Sequence, residues 1–184
     1  MSIFDHAGAV WDIMKAGVDV YLSAGTARAL DLDCAHRFNL FNALAVDNRG
    51  LIEYAAVGIG SFWVAPFTVH HDAAEPVGFL LHSKKTGERL LFMTDSYYTE
   101  YRFTDLTHVM LEANYSNDAL ETAENRNRLR RSHMSIENCI EMLKANDLSH
   151  VKEIWLLHLS SSNGNGEEFK RRVQEATGCP VFIA

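Results

Sequence analysis

At 184 residues, with 47% hydrophobic and 22% charged residues, the chain has the make-up of a globular protein with one sizeable core, which excludes disorder as its main state. A formal charge of -7 argues against a broad basic face and hence against nonspecific duplex binding as the main activity; a local phosphate site stays open, because a bound cation reverses the field inside a cleft. Cys34, Cys139 and Cys179 are far apart, lack CxxC spacing and read as reduced core thiols.

In chain order, "DHAGAVWDIMKAG" has an aspartate at a cap position, apolar residues at helical spacing (Val10, Ile13, Met14) and a closing Gly17, so it predicts a helix. "VDVYLS" predicts a short buried strand, and "SAGTARALDL" a second short helix capped by Ser23. Residues 36–60 carry no clear pattern. "FWVAPFTV", "VGFLLHS" and "RLLFMTD" predict three successive strands, the last two joined by the turn "KKTGE", and a strand "HVMLEAN" follows. The polar stretch 116–131 is helical in propensity, and "SIENCIEMLKAN" begins another helix at Ser135. A strand "EIWLLHLS", a loop "SSNGNG", a helix "EEFKRRVQEATG" and a strand "PVFIA" end the chain. There is no repeat or linker, so residues 1–184 are expected to form a single α/β domain with a mixed sheet. No apolar run reaches the ~18–20 residues that span a bilayer, and "MSIFDHAGAV" lacks a signal-peptide pattern, so a cytoplasmic protein with no membrane partner is expected.

Metal-ligand residue types recur at the predicted boundaries: Asp5 and His6 at the first helix, His70 and His71 after "FWVAPFTV", Asp95 after "RLLFMT", and His158 near the end of "EIWLLH". Strand ends at one sheet edge converge on a single cleft. Neutral imidazoles with carboxylates suit zinc, manganese or iron better than calcium, which prefers oxygen throughout. Each residue alone has an ordinary reading: a cap at Asp5, a turn at Asp95, a core histidine at His158. His70 and His71 cannot both face one way along a strand, so one of them is structural.

Taken in order, "DHAGAV", "VHHDAAEPVGFLL", "LLFMTDSYY", "SHMSIENCIEML" and "LLHLSSSN" resemble the metallo-β-lactamase superfamily, in its small phosphodiesterase and nuclease-like branch. The resemblance implies a four-layered αβ/βα sandwich. It implies metal ligands at Asp5, His6, His71 and His158, with Asp95 bridging two ions, and zinc or manganese as the cofactor. His133, in its H-x-S context before a helix, corresponds to a general acid or phosphate contact, a role to which an imidazole is suited. Arg130 and Arg131 beside it, with Ser160 and Asn163, are candidate phosphate-binding residues.

The pattern departs from the family at its start. In HxHxDH the two leading histidines would fall at residues 1 and 3, which hold Met1 and Ile3. The family's opening strands are missing as well, so an N-terminally incomplete sandwich is expected, from a truncated or internally initiated form of a longer protein. An apolar sheet edge left by that shortfall, or a homo-oligomer that covers it, is a further expectation. The function expected is metal-dependent hydrolysis of a nucleic-acid or nucleotide phosphodiester, weakened where the metal site is incomplete. The alternatives are a small ester, thioester or lactone hydrolase of the same fold, and a catalytically inactive binding or assembly module.

Overall fold

The computed structural model describes residues 7–32, 37–120, 126–161 and 164–184. The first helix, α1 (Val10–Lys15), buries Val10 and Met14, four residues apart on one face, and leaves Trp11 and Ile13 exposed. β1 (Val20–Leu22) leads into α2 (Ala24–Ala29), whose cap Ser23 accepts a hydrogen bond from the Thr26 N–H at 3.2 Å. The patternless segment holds four short strands: β2 (Phe38–Leu40), β3 (Ala43–Val46), β4 (Ile52–Tyr54) and β5 (Val57–Ile59). β3 is exposed along its whole length at the sheet edge, and a strand wet on both faces has no alternation to read.

The expected strands follow as β6 (Phe62–Thr68), β7 (Val77–Ser83), β8 (Arg89–Met93) and β9 (His108–Glu112). The helical stretch after β9 is described as two helices, α3 (Asn117–Leu120) and α4 (Arg126–Ser132), and α5 (Ile136–Lys144) comes next. β10 (Glu153–Leu157), α6 (Gly166–Thr177) and β11 (Val181–Ile183) complete the chain order. Among the described residues, no helix is long and apolar enough to cross a membrane.

Nine strands form one mixed sheet in the order β11-β10-β9-β8-β7-β6-β4-β3, with β5 also paired to β6, while β1 and β2 form a second, two-stranded parallel sheet. β8, β9, β10 and β11 are parallel. β7 is antiparallel to both β6 and β8, so β6 runs the same way as β8. The C-terminal ends of β6, β8, β9 and β10 therefore share one edge.

Alternation decides the faces of the sheet. Leu91, Met93, Val109, Leu111, Ile154 and Leu156 are each 1% exposed or less and pack in one cluster with side chains of α5 and α6. Such side chains stabilise by about 1.5–3 kcal/mol each, which fixes these strands as a rigid base. The alternate residues, Phe79 and Phe92 among them, face the other way; Phe41 lies 5.8 Å from the Phe79 ring and joins the N-terminal layer to that face. That layer has its own core of Val10, Met14, Leu22, Ala27, Leu30 and Leu32. The result is helix, sheet, small sheet and helix in layers.

One glycine is demanded by packing. A Cβ at Gly78 would lie 2.5 Å from Cζ of Phe67, whose ring belongs to the main core. Gly78→Ala is expected to cost about 1–3 kcal/mol by overpacking, read as a lower urea midpoint at unchanged m.

Candidate metal centre

The shared sheet edge brings together side chains far apart in sequence. Past β6 the chain runs through buried Val69 to His70 and His71, which turn opposite ways. His71 has its side chain only 6% exposed, whereas the His70 Nε2 is 2.9 Å from both oxygens of Glu100. Asp95 follows β8, Glu112 is the last residue of β9, and His158 follows β10. His133 comes from the junction of α4 and α5, where its N–H donates to the Leu129 carbonyl at 2.9 Å.

Asp95 and His158 both have left-handed backbone, with φ of 53° and 55°. Away from glycine that conformation costs on the order of 1–3 kcal/mol, and it is kept where the surroundings demand a side chain in one place. For His158 part of that demand is visible: its carbonyl accepts from the Asn114 Nδ2 at 2.7 Å.

The five side chains form one cluster. The Asp95 Oδ1 lies 3.5 Å from the His158 Nδ1, 3.8 Å from the His71 Nε2 and 3.9 Å from the His133 Nδ1. Glu112, fully buried, accepts at Oε1 from the His133 Nδ1 at 2.7 Å, with the His158 Nδ1 at 3.1 Å, and at Oε2 from the Ser96 N–H at 3.1 Å. Two triads, His71 with Asp95 and His133, and Glu112 with His133 and His158, each offer ligand atoms within 4.8 Å of one another.

Protonation follows from these contacts. Burial outweighs the nearby carboxylates and pushes the His71 pKa down, leaving a neutral imidazole, the form that binds a cation. The hydrogen bond to Glu112 outweighs burial at His158 and pushes its pKa up. For Glu112 burial raises the pKa, but the hydrogen bonds from His133 and His158 prevail and the net shift is downward, so the buried carboxyl is ionised. The His71 Nε2 is buried and has no hydrogen-bond partner among the described residues, while its Nδ1 accepts from the Ala73 N–H at 3.1 Å. With Nδ1 accepting, the neutral ring carries its proton on Nε2, a buried N–H 3.8 Å from the Asp95 Oδ1; holding a divalent ion at Nε2 requires that proton to leave and the Ala73 contact to be given up.

Of the residues singled out in the sequence, the structure brings His71, Asp95, His133 and His158 together. Asp5, His6 and Asn163 lie outside the described residues. His133 lies in the bend between α4 and α5, with its side chain buried in the cluster and held by Glu112 at 2.7 Å. Arg130 and Arg131 are exposed in the last turn of α4, and Ser160 is half-buried, its N–H donating to the Asn114 carbonyl at 2.9 Å. Arg128, also on α4, reaches Asp72 beside His71 at 3.2 Å. Glu112 escaped the sequence reading, although it offered the same signal as Asp95: an acid ending a run of apolar strand residues.

No family model matches the chain, and no curated protein is similar to it in sequence. The layered mixed-sheet architecture with ligand types gathered at one strand edge is that of the metallo-β-lactamase-type αβ/βα fold. Among solved structures the chain is similar to one described as a new diphosphatase from the PhnP family, with a TM-score of 0.54 and 15% identity. The match covers 89% of this chain and 54% of that one, so the chain spans about half the length of that structure. At this identity the likeness concerns the fold.

Proposed function

We propose that the protein is a metal-dependent hydrolase of phosphodiester bonds in a nucleic acid or nucleotide. The observation that carries this reading is the convergence of His71, Asp95, Glu112, His133 and His158 at one sheet edge, with the ligand-type atoms of each of two triads within 4.8 Å of one another. The mixed imidazole and carboxylate donors suit zinc or manganese. His71, Asp95 and His158 would hold the ion, with Asp5 and His6 as the ligands expected from the sequence. A divalent ion there supplies a water-derived nucleophile near neutral pH and neutralises charge developing on a phosphoryl oxygen.

The remaining chemistry belongs to the chain. An ionised Glu112 can only accept, so the proton between it and His133 sits on Nδ1, which fixes the ring and aims Nε2 as the other nitrogen. His133 then hands a proton from Nε2 to the departing oxygen. Arg130 and Arg131 supply the cationic contacts that a phosphate uses and a neutral acyl group does not. The fold's likeness to a diphosphatase supports phosphate over acyl substrates.

The test is metal content after purification without chelators, together with turnover of bis-p-nitrophenyl phosphate with added zinc or manganese. Retained metal and chelator-sensitive turnover are expected; a folded protein with neither defeats the reading. Changing Arg130 and Arg131 together to alanine is expected to raise KM by about tenfold while kcat changes little, because an exposed contact to phosphate binds ground and transition states alike.

A further inference from the structure

We propose that Ser96 is a positioning residue of this centre, setting the His71 loop and the Glu112 carboxylate relative to Asp95. The inference rests on the metal-centre reading and assigns a part of its machinery that touches neither ion nor substrate. Ser96 follows Asp95 directly and is 0% exposed. Its hydroxyl donates to the Tyr98 carbonyl at 2.7 Å and accepts from the His70 N–H at 3.1 Å, while its own N–H donates to the Glu112 Oε2 at 3.1 Å.

These bonds have one consistent direction. A carbonyl only accepts, so the hydroxyl hydrogen goes to Tyr98 and the oxygen lone pairs are left for the His70 N–H. The Ser96 N–H likewise has an acceptor-only partner in ionised Glu112. One buried residue thus joins the ends of β6, β8 and β9, three of the four strands that carry the centre. Two flanking bonds extend the brace: the Tyr97 N–H donates to the His70 carbonyl at 3.3 Å, and the Asn138 Nδ2 at the start of α5 donates to the Tyr97 carbonyl at 3.1 Å. Asp95 sits in a left-handed conformation immediately before this brace, so its carboxylate direction depends on where Ser96 is pinned.

Ser96→Ala keeps the N–H bond to Glu112 and removes the hydroxyl bonds to His70 and Tyr98. Residues that orient metal ligands from behind typically account for about 10–100-fold in metal affinity, and a loss of that size is expected here in competition against a chelator. Thr107→Ala is the control. Thr107 accepts from the Arg89 N–H at 2.9 Å and donates to the Arg89 carbonyl at 3.0 Å, tying β8 to β9 at the opposite end of the same strands. It is expected to lower the melting temperature without changing metal affinity.

A second readout needs no metal. In chelator-treated protein, the imidazole nitrogen resonances of His71 and His133 are expected to move in Ser96→Ala and to stay in Thr107→Ala. If wild type binds no metal, the hydrolase reading fails and the role of Ser96 falls with it; metal bound by wild type and bound as tightly by Ser96→Ala overturns the role of Ser96 alone. Should Ser96→Ala not fold, Ser96→Cys, of similar size but a weak acceptor, takes its place in both measurements.

Discussion

Asp95→Asn is expected to leave the fold intact, strip the protein of bound metal, and lower phosphodiester turnover by more than the ~100-fold that outer-shell changes reach. Its Oδ1 lies within 3.9 Å of nitrogens on three histidines, a central position that no other carboxylate among the described residues holds. The amide keeps the shape and removes the charge. Asparagine is also among the few residues that tolerate left-handed backbone, and Asp95 has φ of 53°. Asp95→Ala adds backbone strain to the lost charge, so it should lose metal equally and be less stable than Asp95→Asn by roughly 1 kcal/mol. Metal analysis of both variants after desalting, with their denaturant midpoints, checks the two effects separately. Occupancy unchanged in Asp95→Asn would remove this residue from the ligand set.

The same residue marks how far the sequence could be read. The central strands were legible because burial imposes alternation: Leu91 with Met93, Val109 with Leu111 and Ile154 with Leu156 face the core in register. α5 was legible through its Ser135 cap, which accepts from the Asn138 N–H at 3.1 Å. Residues 38–59 were not, because their strands are three or four residues long and the edge strand β3 is exposed throughout, so no core selected a pattern. In the site, histidines and an aspartate at strand ends stood out as residue types. The partnership of Glu112 with His133 did not, because it joins residues 21 apart through a contact that exists only once β9 and α5 are packed. Ser96 carries no signal at all in one dimension: its role lies in whom its hydroxyl meets.

Glu112 offers the second large effect. Glu112→Gln leaves one acceptor oxygen where the Ser96 N–H, the His133 Nδ1 and the His158 Nδ1 all converge, and it turns an NH2 group toward a donor. His133 loses the partner that holds its proton on Nδ1. Proton transfer by a positioned group is worth about 10²–10⁴ in rate, and a loss of kcat in that range is expected while metal is still bound. Glu112→Ala, which strands imidazoles beside an empty buried position, should also cost about 3–5 kcal/mol of stability. In the metal-free protein Glu112 and His158 give the pH dependence two limbs. The depressed Glu112 pKa contributes stability present above its unfolded value of about 4.3 and lost as pH falls through the folded value. The raised His158 pKa contributes stability fully present below about 6.5 and lost as pH rises through the folded value. The lowered His71 pKa works the opposite way, contributing stability present above about 6.5 and lost as pH falls, so the share of Glu112 is read as the difference from Glu112→Gln, which should flatten the Glu112 and His158 limbs, since the carboxylate is the group both depend on. Urea midpoints measured from about pH 2.5 to 9 decide it: limbs that persist in Glu112→Gln would assign the dependence to other groups.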